Sequence, residues 1–270
     1  MWPICNMLWR IGDILPVLDQ LAWSRAAGFD GIGLHASPGR PGHWEGVDPV
    51  AADAGRRREL RRAIEPLGWA EVHAPFEVVL GRGELDDAAA RLQPALDLAG
   101  DIGARIVTAH ADLEGAGPWP EVLGRLQERV RSLGLRLGLE VVSGFETVAA
   151  WGLSHVGVTL DVGHMYGQDG GRRLEPYGTI GSLVRQIAPA LAHLHLHDVE
   201  AGCPGSDAAP LDHLEVGVGQ VDVDGLLEAL GRAGYQGALC LELNPDRVTP
   251  EGIRRSLARV RGAMGRVTHR

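Results

Sequence analysis

The chain has 270 residues, is 45% hydrophobic and 23% charged, and carries a formal net charge of -9. That balance suits a packed soluble globule and argues against broad electrostatic binding to nucleic acid. All 26 basic residues are arginine, so no lysine can form a Schiff base and the Schiff-base aldolases are excluded.

Strand-like and helix-like segments alternate along the chain. The N-terminus, MWPICNMLWR, has no basic segment followed by an apolar one and a small-residue cleavage site, so no secretory signal is expected. No apolar run reaches the roughly 20 residues of a membrane helix. Short apolar strands bounded by Gly, Pro or polar turns are expected at 4–9, 30–35, 69–74, 104–110, 135–140, 155–161, 191–197 and 237–243. Between them, segments such as DILPVLDQLAWSRAAG, AAARLQPALDLAGDIG, VLGRLQERVRSLG, DGLLEALGRAGY and EGIRRSLARVRGAM repeat apolar residues at three- and four-residue steps, as helices do. Gly28, Gly68, Gly103, Gly134 and Gly234 stand where left-handed caps would close helices.

Eight strands alternating with helices predict an α/β fold, a (β/α)8 barrel forming a single domain over 1–270. A doubly wound open sheet would want a Gly-rich phosphate turn after the first strand, and WRIGDI is not one. Cys5, Cys203 and Cys240 are widely spaced and odd in number, which suits reduced thiols in a cytoplasm.

Nearly every strand ends in a histidine or carboxylate: His35, His73, His110, Glu140, Asp161, His195 and Glu242. A parallel barrel points these ends at one mouth. Strand parity places Gly31, Gly33, Gly138, Gly157, Thr159, Ala238 and Cys240 on the face of the polar ends. The other face carries Ile32, Leu34, Leu137, Leu139, Val158, Leu160, Leu239 and Leu241.

Glu140, Asp161, His195 and Glu242 fall on adjacent strands. Three converging carboxylates repel one another unless a cation neutralises them, and with one imidazole they suit Mn²⁺, Mg²⁺, Co²⁺ or Zn²⁺. His193, His195 and His197 share a strand face at different depths. His193 is expected to be a core histidine, and spacing alone does not separate His195 from His197. In Asp161-Val162-Gly163-His164, the turn can return His164 over the mouth. His73 and His110 beside Glu140 could hold a second metal, and His213 could cover the site. Trp9, Trp44 and Trp119 could stack on a sugar ring or a base, and Arg40, Arg82 and Arg247 could grip a phosphate.

The segments VHAPF (72–76), LGLEVV (137–142), TLDVGHM (159–165), HLHD (195–198), DHLEVGVGQVD (212–222) and LELNP (241–245) resemble the xylose-isomerase-like TIM barrels. That family groups sugar isomerases and epimerases, inosose dehydratases and endonuclease IV, and the resemblance spans essentially the whole chain. It implies a divalent-metal-dependent isomerase or epimerase of a small sugar, sugar phosphate or related keto-polyol, with no organic cofactor. One metal would be held by Glu140, Asp161, His195 and Glu242, with the H-x-x-D pattern selecting His195. Glu140 and Glu242 would also serve as acid and base, and His164 would contact substrate. His35, Trp9, Trp119 and Arg247 are further candidate substrate contacts.

The endonuclease IV branch implies three zinc ions over His73, His110, Glu140, Asp161, His164, His195, His213 and Glu242, and cleavage of abasic DNA. That branch has an aspartate two residues before the loop histidine, where this chain has Leu211, and a polar run where this chain reads Ala74-Pro75-Phe76. A small-molecule substrate is therefore expected in preference to nucleic acid, with no membrane partner and with a homo-oligomer allowed. An inosose dehydratase-like lyase and a non-catalytic metal-binding barrel are the remaining readings.

Overall fold

The computed structural model describes residues 1–115, 117–166, 173–200 and 210–267; Cys203 lies outside the described residues. Its elements run β1 (Ile4–Leu8), α1 (Val17–Ala27), β2 (Gly31–His35), α2 (Ala54–Ile64), β3 (Trp69–His73), α3 (Leu85–Ile102), β4 (Ile106–His110) and α4 (Trp119–Ser132). They continue with β5 (Arg136–Glu140), α5 (Phe145–Ala150), β6 (Val156–Asp161), α6 (Ile180–Ile187), β7 (Leu191–Leu196), α7 (Val223–Arg232), β8 (Leu239–Leu241) and α8 (Pro250–Val267). The strands close in the order β1-β8-β7-β6-β5-β4-β3-β2. Closure excludes the open doubly wound sheet, and the chain folds as the expected (β/α)8 barrel. Among the described residues no helix is long and apolar enough to cross a membrane.

Every expected strand is present, with β8 shortened most. The first helix begins at Val17 and not at Asp13, because Pro16 stands at its N-cap in extended conformation and a residue before proline avoids the helical region. Gly28 and Gly103 end α1 and α3 with φ of 93° and 78°, a conformation glycine adopts without a Cβ clash. A hairpin of Gly39–Arg40 with Trp44–Glu45, not expected from the sequence, follows β2.

Parity divides the strands as predicted. Ile32, Leu34, Leu137, Leu139, Val158, Leu160, Leu239 and Leu241 are fully buried against the helices. Burying each such side chain stabilises the fold by roughly 1.5–3 kcal/mol. Inside the barrel, Cys5, Met7, Ala238 and Cys240 form a separate apolar cluster. The interior is tight: a Cβ on Gly138 would come within 2.0 Å of Thr159 Oγ1, and one on Gly33 within 2.6 Å of Met7 Sδ. The interior is not lined by small residues alone, however. Glu71 on β3, Thr108 on β4 and His193 on β7 also point in and are 0% exposed.

Candidate metal centre

Register decides which side chains meet. Across neighbouring strands His35 pairs with His73, His110 with Glu140, and Asp161 with His195. Glu242 follows β8, whose Cys240 pairs with His195. The strand-end residues therefore collect at the C-terminal mouth, and Glu140, Asp161, His195 and Glu242 are all buried there.

His195 Nδ1 lies 3.0 Å from Glu242 Oε2 and 3.5 Å from Glu140 Oε2. His73 Nε2 lies 3.3 Å from Glu140 Oε2, and His110 Nε2 lies 3.6 Å from Glu140 Oε1. Asp161 Oδ2 is 3.6 Å from His164 Nε2, and Asp161 Oδ1 is 3.0 Å from His197 Nε2. The donor atoms of His73, His195 and Glu242 fall within one metal-sized group, and those of Glu140, Asp161 and His164 within another. Glu140 links the two through His195 and His73. His73, His110 and Glu140 form a third such group.

The electrostatics follow from this crowding. Burial works against ionisation of Glu140, yet His110, His195 and His73 hold it well below the usual carboxylate range. Burial likewise opposes a charged Asp161, but His164 and His197 hold it low. Glu242, against its own burial, is pulled down to about 2 by His195. His195, despite burial, is held well above the ordinary histidine value by Glu71 and Glu242. In the protein alone, the neighbouring histidines are what offset the carboxylate charge.

The donor set fits a hard or borderline divalent cation. Neither His195 Nδ1 nor Asp161 Oδ2 has a hydrogen-bond partner, although both are buried; the 3.0 Å approach of Nδ1 to Glu242 is not aligned for one. His73 Nδ1 donates to the Ala74 carbonyl at 2.7 Å, which turns its Nε2 toward Glu140. Buried polar atoms left in this way cost free energy unless a cation or proton stands between them.

A further group lies beside this set. The donor atoms of His164, His197 and His213 come together, with the His197 and His213 rings stacked at 3.9 Å. His213 is the one non-glycine among the described residues with positive φ, at 50°, a conformation that costs on the order of 1–3 kcal/mol. Its N–H donates to His197 Nδ1 and its ring Nδ1 donates to the Glu242 carbonyl, each at 2.9 Å. These contacts hold the loop histidine over the mouth.

The remaining sequence candidates divide. Trp9 and His35 join Trp44 and Phe76 in an aromatic wall, with Trp9–His35 and His35–Phe76 centroids 4.9 Å apart. Trp119 does not reach the mouth. It opens α4, is buried against Trp151, and donates its indole N–H to Gly115 O. Arg247 is committed to Asp212, with Nη1 2.6 Å from both its Oδ1 and its carbonyl. Arg82, whose Nε lies 3.7 Å from Asp112 Oδ2, lines a cavity of about 500 Å³ with Phe76, His110, Glu140, His164 and Arg173. Arg40 is exposed in the hairpin.

Spacing alone gives His197 no role, and the fold turns its Nε2 toward Asp161 Oδ1 at 3.0 Å. Glu71 was not singled out at all. Its signal was a glutamate two residues before His73 in an otherwise apolar strand.

His35 has both ring nitrogens buried without partners. Burial, then the neighbouring His73, pushes it down to about 3. Between that value and the unfolded value near 6.5, only the unfolded chain takes up the proton, so His35 favours folding above about pH 6.5 and that contribution is lost as pH falls through 3. His35→Phe should therefore unfold at lower pH than the wild type in an acid titration followed by tryptophan fluorescence. An unchanged midpoint would show that His35 does not govern acid stability.

The profile of the xylose isomerase-like TIM barrel family matches residues 21–262. The chain is 24% identical to an L-ribulose 3-epimerase of Mesorhizobium japonicum over 94% of this chain and 85% of that one. It is 26% identical to a ketose 3-epimerase of Arthrobacter globiformis, in a match spanning 50% of this chain and under half (44%) of that protein's length. Among solved structures, a xylose isomerase domain protein from Planctomyces limnophilus superposes with a TM-score of 0.74 at 16% identity, covering 100% of this chain and 99% of the other. A D-psicose 3-epimerase structure with D-fructose gives 0.71 at 16% identity, over 97% and 99%. With a closed barrel, polar strand ends gathered at its mouth and a profile match over nearly its whole length, the chain belongs to the xylose isomerase-like TIM barrel family.

Proposed function

We propose that the protein is a divalent-metal-dependent epimerase or isomerase of a small ketose. The observation that carries this reading is the approach of buried Glu140 and Glu242 to the unpartnered Nδ1 of His195, with buried Asp161 grouped beside Glu140. The similarity to ketose 3-epimerases supports the same substrate class.

Glu140, Asp161, His195 and Glu242 would hold the cation. When bound, it would polarise the ketose carbonyl and so acidify the neighbouring C–H. Glu140 and Glu242 reach His195 from β5 and β8, on the two sides of β7, so each can take or return a proton at a carbon held between them. His110 and His164 line the adjoining cavity and are partly open to it, which suits hydrogen bonds to sugar hydroxyls. Phe76 lines the cavity with Trp9 packed behind it, which offers an apolar face to the C–H groups of a ketose. The cavity volume lies within the range of small-molecule sites, roughly 300–1,000 Å³.

The test is turnover of a ketose panel in D₂O after loading with Mn²⁺. Deuterium should appear at the carbon that changes configuration, next to the carbonyl. No turnover and no exchange with any ketose, on protein that binds Mn²⁺, would reject the reading.

The His164, His197 and His213 group favours a second reading, a multinuclear phosphodiesterase. Three zinc ions per chain by elemental analysis, with cleavage of an abasic duplex, would establish it. A single ion and no cleavage would leave the epimerase reading standing.

A further inference from the structure

Beneath the mouth, one carboxylate crosses the barrel. Glu71 sits in the middle of β3 and is fully buried. One of its oxygens accepts from His195 Nε2 and the other from His193 Nε2, each at 2.7 Å. Thr108 Oγ1 donates to Glu71 Oε1 at 2.5 Å and lies 3.1 Å from Thr159 Oγ1. In the barrel order β3 and β7 stand four strands apart, on opposite walls. The Glu71 side chain therefore spans the interior to reach the two histidines.

A buried carboxylate is a poor device for stability, since desolvation offsets much of what its partners return. The same interior holds an apolar cluster of Cys5, Met7, Ala238 and Cys240, so the carboxylate lies in a largely dry surrounding. What the carboxylate supplies is direction. It accepts only, so the nitrogen facing it must carry the proton. For a neutral His195 that puts the proton on Nε2 and the lone pair on Nδ1, toward Glu140 and Glu242. Flipping the ring would break the bond and strand a charged oxygen in a dry interior.

We propose that Glu71 is a positioning residue that fixes the tautomer and ring orientation of His195, so that Nδ1 is presented to a divalent cation at the mouth. The inference rests on the reading of the mouth as a metal site. Carboxylates that hold a ligating histidine in this way typically tune metal affinity by about 10–100-fold.

The experiment uses the full chain stripped of metal and titrated with Mn²⁺ by calorimetry. Glu71→Gln keeps one acceptor oxygen but replaces the other with an amide donor that cannot accept from the second histidine. It should bind Mn²⁺ about 10–100-fold more weakly than the wild type, with the same circular dichroism. Equal affinities would overturn the proposal. A wild type that binds no Mn²⁺ would overturn the metal-site reading itself and the proposal with it. Should Glu71→Gln fail to fold, the Zn²⁺-loaded wild type decides the matter. Long-range ¹H–¹⁵N correlation should find the His195 proton on Nε2, and a proton on Nδ1 refutes the role of Glu71. A purely structural Glu71 would lower thermal stability in Glu71→Gln and leave its Mn²⁺ affinity unmoved.

Discussion

Glu242→Gln is expected to lower ketose epimerisation by on the order of a thousandfold while the barrel stays folded. The side chain is buried and isosteric with its replacement, and an amide oxygen remains to face a cation. What disappears is the ability to take or give a proton. Epimerisation needs removal of the proton from one face of a carbon and delivery to the other, and Glu140 and Glu242 approach His195 Nδ1 at 3.5 Å and 3.0 Å from strands on either side of β7. Each carboxylate would then serve one face. Glu242→Gln should still exchange the reactive proton of one epimer with D₂O without converting it, and Glu140→Gln should do so for the other epimer. Measuring deuterium in recovered substrate alongside kcat separates the two effects. Exchange of both epimers by either variant, or full turnover, would rule out a shuttle built on these two residues.

The parts of this arrangement that were legible in the sequence share one cause. In a parallel barrel the C-terminal strand ends meet by topology, so His110, Glu140, Asp161, His195 and Glu242 could be placed together from strand ends alone. Parity was legible for the same reason, because Leu137 and Leu139 must face the helices if Glu140 faces in. Contacts made across the barrel were not legible. Glu71 meets His195 over a separation of 124 residues; a glutamate in the otherwise apolar Trp69–His73 marks a buried charge but not the strand it reaches. Side-chain commitments made in loops were also hidden. Trp119 looked like a loop residue over the mouth, yet it opens α4 and packs on Trp151. Arg247 looked like an anion grip, yet Asp212 holds it. The second expected anion contact, Arg82, does line the cavity, because the β3 loop runs along it.

Mn²⁺ added to metal-stripped protein at about a thousand times its Kd should stabilise the fold by about 4 kcal/mol, a rise of roughly 10 °C in Tm for a chain of this size. The gain comes from the same crowding. Glu140, Asp161 and Glu242 have side chains 5%, 1% and 4% exposed, so their mutual repulsion is little screened by water. In the metal-free protein the compensation comes from histidine protons, above all at His195. His195 is raised above its unfolded value, so its contribution to stability is complete below about pH 6.5 and is lost as pH climbs through the raised value. Proton and cation compete for Nδ1, so Mn²⁺ affinity and the accompanying Tm shift should both grow as pH rises above 6.5. Differential scanning calorimetry at several pH values, with and without Mn²⁺, reads both. Asp161→Ala removes Oδ2, which has no hydrogen-bond partner in the fold, together with Oδ1, which accepts from the His164 N–H and faces His197 Nε2; it should lower the metal-free Tm and largely abolish the Mn²⁺ shift. A shift independent of pH, or one that survives in Asp161→Ala, would mean that the cation binds elsewhere and that the buried cluster is an ion-pair network serving the fold alone.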